Sequence, residues 1–252
     1  MGWIKKASSV LIVFFALPIA ASDAKNIKVG TVLFDPPYVI SLNQGFEIDL
    51  IKLLCQRIHA HCDLITMKYQ ALFKALDNGR IDIAVDGIDF YITPNPLNGH
   101  YIYSYPYLLS KGQFLVLQSS GIKSIDALPK GSNVGLVQEN TIPSQGIFYS
   151  FFLAHYTPKF NVVLFADLDS LIAALSNGRI NAAFVDNNEA NYWELNGGGQ
   201  FTALGKPIKV ADGIGIIALP KNAPLIQQFN QQIKVIEEDQ EYLNLYNTYF
   251  GI

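Results

Sequence analysis

The chain has 252 residues, of which 50% are hydrophobic and 15% are charged, and its formal net charge is −3. A chain of this size can bury a large core, as one big domain or two modest ones. The slight acidic excess gives no reason to expect nucleic acid or an anionic membrane as a partner.

The N-terminal segment 1–24 has the pattern of a secretory signal peptide. Lys5 and Lys6 give a basic start, a short apolar run follows, and small residues begin at Ala20. The apolar run is short for a bilayer span, although an N-terminal membrane anchor is the alternative. We predict cleavage between Ala20 and Lys25, export to the periplasm and a net charge of −5 for the residues after position 20.

The residues after this segment predict alternating strands and helices. Proline breaks the chain after the first strand, and apolar residues then recur at helical spacing. The predicted elements, in chain order, are a strand at 27–32, a helix at 47–58, a strand at 63–67, a helix at 69–77 and a strand at 81–85. This alternation predicts an α/β fold whose sheet is largely parallel and covered by helices.

The chain has two cysteines, Cys55 and Cys62, and its predicted compartment is oxidising. These conditions favour one local disulfide that closes the end of a helix onto the next strand. A metal site that adds His59 and His61 is an alternative, although the cluster lacks a familiar zinc spacing. Free thiols are the third possibility.

An internal echo is the most informative feature of the sequence. The segment Ala75–Asp82 (ALDNGRID) recurs as Ala174–Asn181 (ALSNGRIN), and each copy leads through a strand to an aspartate, Asp86 or Asp186. We interpret the echo as two similar α/β lobes, with a coincidental helix–turn–strand likeness as the alternative. Ligands bind beyond the carboxyl ends of parallel strands, so two facing lobes would place these aspartates on opposite walls of one cleft.

Seven short motifs, in order, carry a family resemblance. They are Gly30-Thr31 with Pro37-Tyr38, Gly45 to Leu50 (GFEIDL), Ala75 to Ile88, Thr93-Pro94, Ser104 to Tyr107 (SYPY), Asp186, and Tyr249-Phe250-Gly251. Over its mature length the chain resembles the polar amino-acid-binding proteins of bacterial ABC importers. The spacing of Cys55 and Cys62 is similar to that of the disulfide in the lysine/arginine/ornithine- and histidine-binding subgroup.

The resemblance implies the type II periplasmic binding protein fold, in which two Rossmann-like lobes are joined by a two-strand hinge and close on a ligand. Lobe 1 is expected at 25–114 plus 210–252, and lobe 2 at 115–209. The crossings are expected at Gln113–Gln118 and near Lys206–Asp212. The expected protein is a monomer without a cofactor that serves an ABC permease in the inner membrane.

The sequence departs from this family at the group that clamps the ligand's α-carboxylate. The family has an arginine three residues after the matched Thr93, where this chain has Pro96, and no Lys or Arg occurs from residue 81 to residue 110. Lysine cannot reproduce the bidentate pair that a guanidinium makes with a carboxylate. We therefore expect a cationic ligand that does not need a free α-carboxylate.

The ligand-binding residues expected from the matched positions come from both lobes. They are Phe34, Asp35, Tyr69, Gly87, Asp89, Thr141 and Asp186. Acidic residues without an arginine raise one another's pKa unless a cation joins them, and aromatic rings attract cations. The alternative for Asp89 is a turn-capping residue that faces water.

The sequence predicts a transport receptor, and two other functions stay open. One is a sensory or scavenging binding protein, and the other is an enzyme on the same fold that resembles cyclohexadienyl dehydratase. The sequence shows no Ser–His–Asp order, metal cluster or phosphate loop, so no catalytic residue and no metal are expected.

Overall fold

The computed structural model describes Met1 and residues 26–251 of the chain. The predicted signal peptide, apart from Met1, therefore lies outside the described residues. Within the part that is described, no helix combines the length and the apolar character needed to cross a bilayer.

Short strands and helices alternate along the described chain. The strands are β1 (Asn26–Thr31), β2 (His61–Thr66), β3 (Ile83–Ala84), β4 (Asp89–Phe90), β5 (Ile102–Tyr103), β6 (Lys111–Leu117), β7 (Asn133–Val137), β8 (Asn161–Phe165), β9 (Ala182–Asp186), β10 (Phe201–Lys209), β11 (Gly213–Ile214) and β12 (Ile217–Ala218). The α-helices are α1 (Phe46–Arg57), α2 (Tyr69–Asp77), α3 (Ile147–Tyr156), α4 (Leu168–Ser176), α5 (Asn187–Asn196), α6 (Ala223–Glu238) and α7 (Glu241–Phe250).

Two five-stranded sheets organise the molecule. The first lobe is built on the sheet β2-β1-β3-β12-β5 and the second on the sheet β10-β6-β9-β7-β8. Strands β1, β2 and β3 are parallel, as are β7, β8 and β9, whereas the pairings that involve β12, β6 and β10 are antiparallel. The sheets are therefore mixed, and not largely parallel as predicted, because strands that connect through the hinge enter each sheet in the opposite direction.

Each lobe has its own hydrophobic core, formed where helices cover the sheet. In the first lobe, Ile51 and Leu54 of α1 pack with the strands on one face, and Leu72 and Leu76 of α2 pack on the other. All four side chains are at most 1% exposed. Burial of a leucine or isoleucine side chain contributes about 1.5–3 kcal/mol, so these helices hold the loops at the sheet edge in place.

The repeated segment folds in the same way in both lobes. Gly79 and Gly178 have φ angles of 66° and 67°, which end α2 and α4 in the left-handed conformation that favours glycine. The N–H of Gly79 donates to the carbonyl of Leu76 at 2.9 Å, and that of Gly178 donates to Leu175 at 3.0 Å. The echo in the sequence therefore corresponds to a structural repeat.

A disulfide joins the end of α1 to β2, as predicted. Cys55 and Cys62 are bonded, with their Cα atoms 6.2 Å apart. The bond removes both thiols from the alternative metal set. Among the described residues, no cluster of three or more His, Cys, Asp or Glu is arranged to hold a metal ion.

The chain crosses between the lobes twice, at adjacent positions. The N–H of Val210 donates to the carbonyl of Ser110 at 3.1 Å, and the N–H of Ala211 donates to Oγ of Ser110 at 3.0 Å. Strand β6 pairs within the second sheet from Lys111 onward, so sheet membership changes slightly before the predicted Gln113. The two-strand hinge is confirmed, while the predicted lobe limits stay a prediction.

Candidate functional site

A cavity of about 380 Å³ lies between the lobes. Its walls are the segments that follow β1, β2 and β3 in the first lobe and β7, β8 and β9 in the second. These are the carboxyl ends of the parallel strands, where open α/β sheets bind ligands. The volume lies within the range of small-molecule pockets.

Side-chain hydrogen bonds join the two walls. The hydroxyl of Tyr38 in the first lobe donates to Oδ1 of Asp186 in the second at 2.5 Å. Nε2 of Gln70 donates to the carbonyl of Ala166 at 3.0 Å and also to the carbonyl of Gln138. The two lobes are thus in direct contact on both sides of the cavity.

The cavity is strongly acidic. Eight acidic residues line it: Asp35, Asp86, Asp89, Glu139, Asp167, Asp169, Asp186 and Glu189. Lys68, at the start of α2, is the one lysine or arginine among the described lining residues, and it is exposed. Carboxylates removed from water without counter-charges are costly, so a cation would stabilise this arrangement.

Asp186 is the most tightly held of these carboxylates. Asp186 caps α5, because its Oδ1 accepts from the N–H of Asn188 at 2.8 Å. In return, Oε2 of Glu189 accepts from the N–H of Asp186 at 3.1 Å, which completes a capping box. Oδ1 also accepts from Tyr38, whereas Oδ2 is buried without a partner. Burial raises the pKa of Asp186 to about 6, and these hydrogen bonds limit the rise.

Asp35 and Glu189 form a carboxyl pair across the cleft. A side-chain interaction between the two groups lowers the pKa of Asp35 and raises the pKa of Glu189. Burial raises the pKa of both groups well above the usual range, and the neighbouring carboxylates add to the shift. Asp35 is 9% exposed, and its Oδ1 has no partner. Like charges that are buried together raise one another's pKa, and a cationic ligand would oppose this rise.

Asp86 and Asp89 lie on the first-lobe wall. Asp86 is 3% exposed, and one oxygen of each carboxylate is buried without a partner. Burial raises the pKa of Asp86 well above the usual range, with Glu47 adding to the shift. Burial and the charge of Asp186 raise the pKa of Asp89, and a hydrogen bond with Ser110 at the hinge opposes the rise.

Gly87 lies between these aspartates, and its N–H is already engaged. It donates to both oxygens of the buried Glu47 carboxylate, at 3.1 and 3.0 Å. Tyr107 donates its hydroxyl to the same carboxylate at 2.5 Å. Gly87 has a φ angle of 58°, and a Cβ there would lie 2.8 Å from the ring of Tyr38. Glycine is therefore required at this position.

On the second-lobe wall, Glu139 accepts from backbone N–H groups, as Glu47 does on the first-lobe wall. Its carboxylate accepts from the N–H groups of Ile147, Phe148 and Tyr149, at 3.0, 3.2 and 3.2 Å. These are the first N–H groups of α3, which attract negative charge. Burial raises the pKa of Glu139 to about 7, and the three backbone hydrogen bonds act against this rise.

Aromatic rings cover the apolar part of the cavity. They are Phe34 and Tyr69 from the first lobe and Phe148 and Phe184 from the second. Desolvation raises the pKa of Tyr69 well above the usual range, so its hydroxyl stays neutral. A cation held by the carboxylates would be close enough to such rings for cation–π attraction to add to binding.

The structure brings six of the seven predicted ligand-binding residues to this cavity. They are Phe34, Asp35, Tyr69, Gly87, Asp89 and Asp186. The placement differs from the prediction for Thr141, which is exposed and lies outside the lining. Its hydroxyl is turned to Oδ1 of Asn140, at 3.2 Å, and Glu139 faces the cavity from this loop instead. The binding roles themselves stay predictions.

Sequence reasoning missed Glu47, Glu139 and Glu189. A signal for Glu189 was available, because Asp186 and Glu189 have the spacing of a capping box. Glu47 was noted only as part of a motif. Glu139 had no local signal, because its partners are the N–H groups of a helix that begins eight positions later.

Comparisons with known proteins agree with this architecture. The family model described as bacterial extracellular solute-binding proteins, family 3, matches residues 27–252. The arginine-binding periplasmic protein of Mannheimia haemolytica is 25% identical over 240 residues, which cover 92% of this chain and 94% of that protein. The putative ABC transporter arginine-binding protein 2 of Escherichia coli strain K12 is 28% identical over 250 residues, which cover 96% and 97%.

A solved structure shows the same fold. The arginine 3rd transport system periplasmic binding protein from Legionella pneumophila superposes with a TM-score of 0.80 at 28% sequence identity. The match covers 90% of this chain and 100% of that one. The predicted fold, two α/β lobes joined by a two-strand hinge, is confirmed.

Proposed function

The chain belongs to the bacterial extracellular solute-binding proteins of family 3, and from this premise we propose that it captures a small cationic amino acid or amine. The ligand would be enclosed between the two lobes and then passed to an ABC importer in the inner membrane. Relatives named as arginine-, histidine- and lysine/arginine/ornithine-binding periplasmic proteins support a basic ligand.

The acidic lining of the cavity is the observation that carries this proposal. Three of its carboxylates, on Asp35, Asp86 and Asp186, are at most 9% exposed, and each has one oxygen without a partner. A ligand with an ammonium or guanidinium group supplies the donors and the opposite charge that these oxygens lack. An anionic ligand would add to the repulsion.

Closure of the lobes would bury the ligand. The crossing at Ser110 and Val210 is short and close-paired, and the contacts of Tyr38 and Gln70 are available to hold the lobes together. Each lobe has its own core, so rotation about the hinge would leave the interior of both lobes unchanged. Ligand addition should therefore reduce the radius of gyration measured by small-angle X-ray scattering.

The proposed setting is the periplasm, reached through cleavage of the predicted signal peptide. Family members are binding proteins, and we propose that this chain likewise binds without catalysing a reaction. We propose further that it acts as a monomer, in which the two lobes alone form the site.

Isothermal titration calorimetry of the mature protein tests the proposal. Lysine, arginine, ornithine, histidine and their decarboxylated amines form the test panel, with glutamate, glutamine and leucine as controls. We expect at least one basic compound to bind at micromolar concentration or below, and the controls to bind at least about a hundredfold more weakly, roughly 2.7 kcal/mol. Preferred binding of glutamate, or no binding of any basic compound, would contradict the proposal.

A further inference from the structure

Backbone donors at two places in this cleft, Gly87 and the start of α3, are occupied by the chain's own carboxylates. Without an arginine on the first-lobe wall, a ligand carboxylate would need backbone N–H groups. Two such positions in this cleft are Gly87 and the start of α3. Each of them can be followed to its acceptor.

On the first-lobe wall, the N–H of Gly87 donates to the carboxylate of Glu47. Glu47 is completely buried, and Tyr107 also donates to it at 2.5 Å. Phe46 and Ile48, its neighbours in α1, are buried in the first-lobe core. Glu47 cannot swing away to release Gly87 without disturbing this core, so the N–H group is permanently taken.

On the second-lobe wall, Glu139 takes three N–H groups at the start of α3. The positive end of the helix, the usual backbone site for an anion, is thus already filled by a carboxylate of the chain. A ligand carboxylate would have to displace Glu139 and leave it buried beside other acids.

Several carboxylate oxygens of the lining residues have no hydrogen-bond donor. Asp35, Asp86 and Asp186 line the cavity, and each has one buried oxygen without a partner. They come from both walls, so one ligand can meet carboxylates at more than one of its ends. The exposed Lys68 is the one side chain of the described lining with a permanent positive charge.

We infer that this cavity is a site for cationic amines that lack a carboxylate, such as diamines and guanidino amines, and that it discriminates against α-amino acids. The inference rests on the proposed function and narrows it. A carboxylate would find the N–H groups of Gly87 and of the start of α3 occupied and acidic residues on both walls, whereas a second cationic group could pair with those acidic residues.

Calorimetry with matched pairs tests the inference. The pairs are arginine with agmatine, lysine with cadaverine, and ornithine with putrescine, and each pair differs only by the carboxylate. We expect the amine of the best-binding pair to bind at least as tightly as its amino acid. An amino acid that binds more than about tenfold tighter than its amine would overturn the inference while leaving the proposed function intact. If no member of any pair binds, the inference fails, and the proposed function fails as well if histidine and histamine do not bind either.

Variants identify the reason for the discrimination. Glu139→Ala frees the N–H groups of α3, and we expect it to shift the affinity ratio about tenfold towards the amino acid. Glu194→Ala is the matched control, because Glu194 also accepts a backbone N–H, that of Ala203 at 3.1 Å, but does not line the cavity. If Glu139→Ala does not fold, Glu139→Gln removes the negative charge but keeps an accepting oxygen, and we expect a smaller shift of the ratio in the same direction. An unchanged ratio in the folded variant would contradict the role given to Glu139.

Lys68→Met tests the remaining cation. If Lys68 held a ligand carboxylate, the substitution would weaken binding of the amino acid more than binding of the amine. We expect the ratio within each pair to stay the same within about threefold. A selective loss of amino-acid binding would show that Lys68 recognises the carboxylate, which contradicts the inference.

Discussion

The two copies of the repeated turn lead to Asp86 and Asp186, which line one cavity from opposite walls. The surroundings of the two carboxyl groups differ. Asp186 is followed by α5, and its carboxylate caps that helix and accepts from Tyr38. Asp86 is followed by Gly87 and no helix, and one of its oxygens has no partner. The pKa of Asp186 is about 6, whereas the pKa of Asp86 lies well above its usual range.

The difference shows that the repeat determines where the two aspartates lie but not their charge. Donors supplied by the next segment keep Asp186 ionised near neutral pH. Burial raises the pKa of Asp86 well above its usual range, and the charges of Glu47 and Glu189 add to the rise. We therefore expect Asp186 to be the stronger anionic anchor for a cationic ligand. Four measurements can test this comparison.

The largest effect is expected for Asp186→Asn. Asparagine also caps helices, so the fold should persist, but the charge that meets the ligand is lost. We expect the affinity for a cationic ligand at pH 8 to fall about a hundredfold, roughly 2.7 kcal/mol. Asp126→Asn is the control: it removes a charge from an exposed ion pair in the same lobe, with Lys159, and should leave binding unchanged. Comparable affinities for the two variants in calorimetry would rule out the anchor role.

The pH dependence of stability should be the next largest effect. Glu47 and Glu139 have pKa values of about 7 in the folded protein, against an ordinary value of 4.5. Between these two pH values the folded protein holds protons that the unfolded chain has released. Stability from these groups is therefore complete below about pH 4.5 and lost as the pH rises through 7.

Urea denaturation of the ligand-free protein measures this dependence. We expect the free energy of unfolding to be roughly 5 kcal/mol lower at pH 8 than at pH 5, from about 1.4 kcal/mol per pH unit for each of the two groups. Asp186→Asn should remove only the part of the slope that lies between about pH 4 and 6, because its pKa is about 6. Stability that increases steadily over this range would show that the buried carboxyls are ionised in the folded protein.

Asp86→Asn should weaken binding less than Asp186→Asn. Ionising Asp86 on ligand binding costs about 1.4 kcal/mol for each unit by which its pKa exceeds the working pH, and this cost offsets part of its attraction for the ligand. We expect a loss of about tenfold in affinity at pH 8, together with a gain in stability, since a buried carboxyl is removed. Calorimetry in buffers of different ionisation enthalpy should also show fewer protons released on binding. An affinity loss as large as that of Asp186→Asn would contradict the distinction between the two aspartates.

The smallest effects should be equal in the two lobes. Gly79→Ala and Gly178→Ala each place a Cβ on a residue with left-handed backbone, which costs about 1 kcal/mol. No atom lies within 4 Å of the new Cβ at Gly178, and the nearest atom at Gly79 is the flexible Nζ of Lys221, at 3.3 Å. Thermal unfolding should give similar losses and additive behaviour in the double variant. A loss of stability in only one of the two single variants would mean that the two copies of the repeated turn are not energetically equivalent.

Local patterns predicted most of the fold. The helix at Tyr69–Asp77 was predicted with the bounds that the structure shows, and the other early elements shifted by one or two residues. Helical periodicity and the glycine stop act within a few residues, so they can be recognised in a linear sequence. The mixed sheets were not predicted, because strand direction at the hinge depends on pairing between segments about 90 residues apart.

Part of the candidate site was also predictable. The aspartates after the repeated strands, Gly87 and the missing arginine are visible in the sequence. Together with the family resemblance they led us to expect Asp35, Asp89 and Asp186 in one cleft. The structure has all three in the lining of one cavity. Thr141 was expected there by analogy of position. The structure turns it to Asn140, because the loop around it is organised by Glu139 and the start of α3.

The sequence by itself determined the two lobes, their repeated turns, the disulfide and the acidic character of the cleft, because these follow from residues close together in the chain or from simple counts of charge. Only the tertiary structure decided which carboxylates are free to meet a ligand. Glu47 reaches Gly87 across 40 positions, and Tyr38 reaches Asp186 across 148. Such pairings decide which backbone donors are occupied and which acids keep a proton, since both depend on the burial and on the partners that folding creates.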